Sequence, residues 1–240
     1  MLLKNVVIKK KDGINFAKLS GDNNPIHIEE KIGYKSQFGE NIVHGSLILI
    51  EILKEIKIKN YQSIKVIFNS FIKYNLKSQI ILHKKNNDEK IYKIYQDDEL
   101  KIIITLFFKT EEEIPLMKKK THQKRYKVPK SKREKFYDNK INTDLKLILC
   151  ELSKYVGIEY PGKYSLINEI NIFKRENSFK ENIVYIKSNR LDKRFNLIEN
   201  HMKYQKYFID FKTSIRPTLN IKLQEPNKKI IKEIKNIKNN

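Results

Sequence analysis

The segment LILIEILK at residues 47–54 returns 100 residues later as LILCELSK at residues 147–154, with five identities in eight. The stretch Ser46–Ile56 around the first copy is apolar on nearly every side, which is typical of a helix buried in a core. Strand-like runs follow each copy. The sequence therefore predicts central helices near residues 45–57 and 144–156, each wrapped by an antiparallel sheet.

The strand-like runs are rich in Ile, Phe and Tyr and are separated by polar breaks. They cover Ile64–Tyr74, Gln79–His83, Lys90–Tyr95 and Leu100–Lys109 in the first half, and Ser165–Phe173, Asn182–Lys187, Tyr204–Thr213 and Leu219–Leu223 in the second. Chance similarity in a chain rich in Ile and Lys is the alternative to duplication. The shared order of buried helix, long strand and meander favours duplication.

A basic segment separates the two halves. Of the 23 residues from Lys118 to Lys140, 11 are Lys or Arg. Such a run forms either a basic arm for nucleic acid or a membrane, or a solvated linker, and the composition of the whole chain favours the linker. The predicted domains are residues 1–112, a basic linker at 113–141 and a second unit at 142–240.

The net charge of +22 is the strongest compositional feature of the 240-residue chain. Nearly all of its 50 basic residues are Lys. Mutational bias toward AT-rich codons explains this excess of Lys. The charge therefore does not favour nucleic-acid binding. The single cysteine, Cys150, excludes a disulfide framework and a Cys-based zinc site. No apolar run reaches the roughly 18 residues of a membrane-spanning helix, and we expect a soluble, cytoplasmic protein.

The two halves are unequal, because nothing in the second half corresponds to residues 10–45. This segment contains FAKLSGDNNPIH at residues 16–27 and is followed by IVHGS at residues 42–46. Asp22 and His27 lie five residues apart across Pro25, which stiffens the loop. A carboxylate and an imidazole held close together can bind one water and exchange its protons. The alternative is an Asx-type turn that caps a helix beside a surface histidine.

The two strings together resemble the hydratase-2 motif of the MaoC-like (R)-specific enoyl-CoA hydratases and dehydratases. The resemblance is specific over residues 14–56. It departs from the family pattern at Glu29, commonly Asp, and at Gly33, usually Ala. The string VGIEYPGKYSL at residues 156–166 resembles the helix end and following strand of a hotdog domain. The resemblance implies an α+β fold with two hotdog units fused as a double hotdog, in which the second unit replaces a second subunit.

The resemblance also implies a function. Asp22 and His27 are the expected catalytic pair of a hydro-lyase that hydrates trans-2-enoyl thioesters and dehydrates (3R)-hydroxyacyl thioesters. Gly45 is the expected backbone oxyanion donor, and His44 is interpreted as structural. The expected partner is a thioester of coenzyme A or acyl carrier protein, as in fatty acid metabolism.

Neither a metal nor another cofactor is implied, since His27, His44 and His83 lack the spacing of a metal site. The sequence leaves the oligomeric state open, with a homodimer of double hotdogs among the alternatives. Two other classes of function stay open, a non-catalytic acyl-thioester binding or scaffold protein and a nucleic-acid binder.

Overall fold

The computed structural model describes residues 2–58, 60–109, 122–136, 140–175, 182–192, 194 and 196–215. The first unit begins with one strand and four helices. These are β1 (Leu2–Val7), α1 (Lys10–Ser20), α2 (Pro25–Ile28), α3 (Glu30–Lys35) and α4 (Gly45–Ile56). Four strands complete it, namely β2 (Ser63–Phe68), β3 (Lys77–Lys85), β4 (Glu89–Gln96) and β5 (Glu99–Phe107).

The second unit repeats this plan without the helices α1–α3. It contains β6 (His122–Lys127), α5 (Lys130–Lys135), α6 (Thr143–Lys154), a π-helical turn (Tyr155–Glu159), β7 (Ser165–Lys174), β8 (Ile183–Asp192), β9 (Leu197–Tyr204) and β10 (Tyr207–Ile215). The helices α4 and α6 begin and end within two residues of the predicted bounds.

All ten described strands form one antiparallel sheet in the order β1-β3-β4-β5-β2-β7-β10-β9-β8-β6. The order within the first unit is mirrored in the second, and the units join where β2 pairs with β7. Each half of the sheet therefore wraps one buried helix. This arrangement confirms the predicted α+β double hotdog.

The core forms because one helix in each unit is buried on nearly all sides. In α4, Leu49, Ile52 and Leu53 are fully buried against inward-facing strand residues such as Val66 and Ile80. The corresponding positions of α6 are equally buried, and α4 packs directly against α6. Burial of such side chains contributes about 1.5–3 kcal/mol each, so the two helices hold the sheet in place.

The structure contains strands that the periodicity did not predict. β1 is missing from the prediction, and the predicted run Tyr204–Thr213 spans the end of β9 and most of β10. The run predicted as Ile64–Tyr74 ends as a strand at Phe68. A strand at a sheet edge needs only one buried face, so its hydrophobic signal is weak. The predicted strand Leu219–Leu223 lies outside the described residues.

The segment predicted as a linker contains β6 and α5 within its described residues. β6 pairs with β8 and takes the edge position in the second unit that β1 takes in the first. Its residues alternate between half-buried and exposed, so basic side chains occupy the exposed positions of an edge strand. The domain boundaries at residues 112 and 141 stay a prediction.

Among the described residues, no helix is both long enough and apolar enough to span a bilayer.

Candidate active site

The loop that carries Asp22 and His27 is formed by local signals in the sequence. Helix α1 ends at Gly21, whose φ of +85° lies in the left-handed region that favours glycine, and whose backbone N–H donates to the carbonyl of Ala17. The next helix, α2, begins with Pro25 in its first turn, where a missing backbone N–H costs nothing. These two helix boundaries bring Asp22 and His27 to the same side of the loop.

Asp22 is a buried carboxylate, with only 3% of its surface exposed. Its Oδ1 atom accepts a hydrogen bond from the backbone N–H of Asn24 at 3.2 Å, and its Oδ2 atom accepts one from the hydroxyl of Ser153 at 2.6 Å. Burial raises the pKa of Asp22 to about 6, although both hydrogen bonds favour the ionised form. The carboxyl group is thus poised to exchange a proton near neutral pH.

The second unit closes this site from the far end of α6. Ser153 lies in its last turn, and Gly157 lies in the π-helical turn that follows. A Cβ atom on Gly157 would lie 2.1 Å from the Oδ1 atom of Asp22, so only glycine lets the helix approach the carboxylate. Asn24 adds a third connection, since its Oδ1 atom accepts from the backbone N–H of Tyr164 at 3.3 Å. The loop that carries Asp22 in the first unit is therefore completed by contacts from the second unit.

His27 is held as a neutral imidazole. Its Nδ1 atom lies 2.8 Å from the carbonyl oxygen of Ile42, and because a carbonyl can only accept, Nδ1 carries the proton. The Nε2 atom is left as a hydrogen-bond acceptor. Burial lowers the pKa of His27 to about 4, and the nearby ammonium of Lys10 contributes in the same direction. At neutral pH the ring can therefore accept a hydrogen bond at Nε2 but carries no charge.

His44 holds both the loop and the ring of His27 in place. Its Nε2 atom donates to the backbone carbonyl of Asp22 at 3.1 Å, and the hydroxyl of Tyr74 lies 3.5 Å from Nδ1. The ring stacks on His27 with centroids 4.0 Å apart. Burial, together with the charge of a protonated His27, keeps the pKa of His44 well below its usual value. Both nitrogens are engaged, so His44 fixes the loop and the ring of His27.

Lys10 also binds this loop, through hydrogen bonds of its ammonium group. The Nζ atom donates to the backbone carbonyl of His27 at 2.9 Å and to the side-chain oxygen of Asn41. The amide nitrogen of Asn41 in turn donates to the carbonyls of Ile26 and Glu29, at 3.0 and 2.9 Å. These carbonyls also accept backbone hydrogen bonds, that of Ile26 from Ile42 and that of Glu29 from Gly33, so the side chains of Lys10 and Asn41 add to the bonds that hold the end of α2.

Asp22, His27 and Gly45 all line one cleft of about 360 Å³. Gly45 is the first residue of α4, where backbone N–H groups lack helical acceptors and the helix dipole is positive. The walls come from both units and combine polar with apolar side chains. The apolar ones include Phe38, Ile48, Phe68 and Phe71 of the first unit and Val156, Leu166 and Ile167 of the second. The three residues predicted from the sequence thus lie together, and their catalytic role remains to be argued.

The sequence analysis missed the residues that the second unit contributes. Ser153 aligns with Leu53 in the internal repeat, and this exchange of an apolar for a hydroxyl residue was the available signal. Gly157 sits in an apolar helix end, where its only signal is the absence of a side chain. Neither residue could be linked to Asp22 without the packing of the two units.

Three residues of the site could in principle bind a metal ion. One ligand atom each of Asp22, His27 and His44 lies within 4.8 Å of the other two. The nitrogens of His44 are both engaged in hydrogen bonds, which leaves one imidazole nitrogen and one carboxylate. Catalytic zinc sites use three protein ligands, so this pair fits a water molecule better than a metal ion.

Comparison with known proteins finds a family match within the first unit. Residues 2–97 match the family described as MaoC like domain. A solved structure of a MaoC-like dehydratase superposes with a TM-score of 0.59 at 7% identity, covering 90% of this chain and 97% of that chain. A MaoC domain dehydratase from Chloroflexus aurantiacus J-10-fl gives 0.56 at 8% identity, covering 90% and 95%. Both similarities extend over the two units and show the fold. No curated protein is significantly similar in sequence.

Proposed function

We propose that this chain, whose residues 2–97 match the MaoC-like domain family, hydrates trans-2-enoyl thioesters and dehydrates (3R)-hydroxyacyl thioesters. The observation that carries the proposal is the convergence of the Asp22 carboxylate and the His27 imidazole on the cleft that Gly45 also lines. The thiol part of the substrate is coenzyme A or acyl carrier protein, and the basic chain attracts both.

The two side chains are arranged to hold one water. A separation of at most 4.8 Å between a carboxylate oxygen and an imidazole nitrogen allows one water to donate to both, at about 2.8 Å each. Both groups accept at neutral pH, because Asp22 is ionised and His27 is neutral. The water then directs its oxygen lone pairs away from them, toward Cβ of the substrate.

The pKa values decide which group takes the proton. The carboxyl of Asp22 has a pKa of about 6, whereas that of His27 is about 4, so Asp22 is the stronger base. As an O–H bond of the water breaks, its proton goes to Asp22 and its oxygen bonds to Cβ. The electron pair of the double bond moves through Cα onto the thioester oxygen. Protonated Asp22 then delivers the proton to Cα, and the catalyst is restored.

The negative charge on the thioester oxygen is stabilised by Gly45. Its backbone N–H is among the donors at the start of α4 that lack helical acceptors, and Gly45 lines the cleft. Loss of one such donor commonly costs about 10²- to 10³-fold in turnover. Dehydration follows the same path in reverse, with Asp22 removing the proton from Cα and returning it to the leaving hydroxyl.

The decisive experiment measures hydration of enoyl-CoA substrates by loss of the enoyl-thioester absorbance. Asp22→Asn and His27→Ala should each lower turnover by about 10²- to 10⁴-fold, with the fold retained. The double variant should be little worse than the poorer single variant, because the two groups share one water. The alcohol formed should have (3R) configuration.

Matched substitutions at exposed positions serve as controls. Asp88→Asn and His83→Ala, both on the outer part of the first unit, should leave turnover unchanged. Wild-type turnover in Asp22→Asn would exclude this loop as the active site. If the wild type acts on no enoyl thioester of any chain length or carrier, the chain is a binding protein and the proposal is wrong.

A further inference from the structure

Three successive lysines, Lys9 to Lys11, stand at the start of helix α1, and only the middle one turns inward. Lys9 and Lys11 are exposed, whereas Lys10 is half-buried. Both its burial and its place at the positive end of a helix disfavour an ammonium group. Burial lowers the pKa of Lys10, and the carboxylate of Glu30 counteracts this effect only in part. A charge kept in such a place needs partners inside the fold.

The described contacts of the Lys10 ammonium group are with acceptors. Its Nζ atom donates to the backbone carbonyl of His27 at 2.9 Å and to the Oδ1 atom of Asn41. The ring of Tyr74 presents its face to the same atom, with the ring centroid 5.0 Å away. Two oxygens and one π face match the three N–H donors of an ammonium group, so these contacts favour the charged form of Lys10.

These contacts connect Lys10 to both imidazoles of the site. The connection to His27 is direct, through the hydrogen bond to its carbonyl. The connection to His44 passes through Tyr74, whose hydroxyl lies 3.5 Å from the Nδ1 atom of His44. Gly13 makes room for this hydroxyl, since a Cβ atom there would lie 2.1 Å from it. A change at Lys10 therefore reaches both rings, which stack with centroids 4.0 Å apart.

The charge of Lys10 also acts on the imidazoles. Burial is the main reason why the pKa values of His27 and His44 are lowered, and the ammonium group lowers both further. The carboxylate of Asp22 acts in the opposite sense, because its oxygen lies within 4.8 Å of a nitrogen of each ring. Lys10 thus supplies a positive charge that opposes protonation of the two rings next to Asp22.

We propose that Lys10 is a positioning residue, which keeps His27 a neutral hydrogen-bond acceptor by holding its carbonyl and by placing a positive charge near its ring. A proton on Nε2 would turn this acceptor into a donor, and the water could no longer donate to both Asp22 and His27. Lys10 does not line the cleft, so it acts through His27. The inference rests on the proposed function in giving that water a role, whereas the neutral state of His27 is a property of the free protein.

The test is a titration of His27 in the full chain without substrate. Proton–nitrogen correlation spectra of protein labelled at its histidine rings report the protonation of each ring nitrogen, and His27→Ala identifies the His27 signals. The wild type should show a proton on Nδ1 and none on Nε2 at neutral pH, with a midpoint at about 4. In Lys10→Met the midpoint should move to higher pH, because the opposing charge is gone. Lys10→Arg keeps a charged donor and should stay close to the wild type.

The matched control is Lys11→Met, which makes the same replacement at the exposed neighbour on α1 and should leave the midpoint unchanged. Lys10→Gln keeps a donor without a charge and should shift the midpoint in the same direction as Lys10→Met. Thermal unfolding reports whether each variant folds. In the hydration assay, Lys10→Met should lower kcat by about tenfold, and Lys10→Arg should restore most of it.

An unchanged midpoint in both Lys10→Met and Lys10→Gln would overturn the proposal, and so would an equal shift in Lys10→Arg or in Lys11→Met. Because the titration needs no substrate, its result does not depend on the proposed function. A wild type that shows the expected titration but hydrates no enoyl thioester refutes only the proposed function.

Discussion

Replacing Asp22 by Asn should abolish hydration and at the same time stabilise the fold. The folded protein holds the pKa of Asp22 at about 6, against 3.8 for the free side chain, mainly because burial disfavours the charged form. A shift of about two units corresponds to about 3 kcal/mol of destabilisation when the carboxyl is ionised in both states. An uncharged amide of the same shape removes this cost.

The net gain is smaller than the full electrostatic cost. The amide has only one oxygen, which can accept from the backbone N–H of Asn24 as Oδ1 does now, whereas the hydroxyl of Ser153 must turn and accept from the amide NH2 group. Allowing about 1 kcal/mol for these weaker bonds, we expect Asp22→Asn to raise the free energy of unfolding by about 2 kcal/mol at pH 7.5. For a chain of this length the melting temperature should rise by about 4–8 °C.

The sign of the pH dependence follows from linkage. Because the folded-state pKa is raised, the folded protein binds more protons than the unfolded chain between pH 3.8 and about 6. The cost of the carboxylate is therefore absent below pH 3.8, grows as the pH rises through this window and is complete above pH 6. The lowered pKa of His27 acts in the opposite direction, but it is common to both proteins and largely cancels in their difference.

Urea unfolding of wild type and variant at several pH values between 4 and 7.5 measures this difference directly. The control is Asp88→Asn, which removes an exposed carboxylate paired with Lys109 and should change stability by less than about 1 kcal/mol, in the destabilising direction. The reasoning is refuted if Asp22→Asn unfolds more easily than the wild type at pH 7.5, or if its advantage is the same at pH 4.

Two further substitutions test the contribution of the second unit to the site. Ser153→Ala removes a hydrogen bond that lowers the pKa of Asp22, so this pKa should rise in the variant. The acid limb of the pH profile of kcat/KM should then move to higher pH, and activity should fall more at pH 6 than at pH 8. Ser70→Ala, in the same cleft, is the control, and an unchanged midpoint would show that Ser153 does not act on the carboxyl. Gly157→Ala places a Cβ atom 2.1 Å from the Oδ1 atom of Asp22. Displacing the carboxylate by about 1 Å should lower kcat by about 10²-fold, and wild-type turnover in this variant would contradict the contact.

The repeated segment was sufficient to predict the architecture, because its signal is local and strong. A helix that is apolar on every side is buried wherever it occurs, and two such helices followed by strands predict two wrapped units. Elements with a weaker local signal were not predicted, and the reason is again physical. β6 is an edge strand whose exposed face carries Lys and Arg, so its composition is indistinguishable from that of a solvated linker.

The first half of the site was equally accessible from sequence. Asp22 and His27 lie on one short loop, and Gly45 opens the buried helix, so the motif spacing predicts that they belong together. What the motif does not contain is the environment that sets their proton affinities. The raised pKa of Asp22 and the lowered pKa of His27 come from burial, which depends on everything packed around the loop.

By itself, the sequence determined the two buried helices and the loop that carries Asp22 and His27, because helix boundaries, turns and motif spacing act over a few residues. Only the tertiary structure decided that Ser153 donates to a carboxylate 131 residues earlier in the chain and that Gly157 leaves room for it. These contacts exist because α6 packs beside α4 and ends in a π-helical turn at the loop of Asp22. A contact across two units depends on the relative position of whole helices, which no local pattern of side chains encodes.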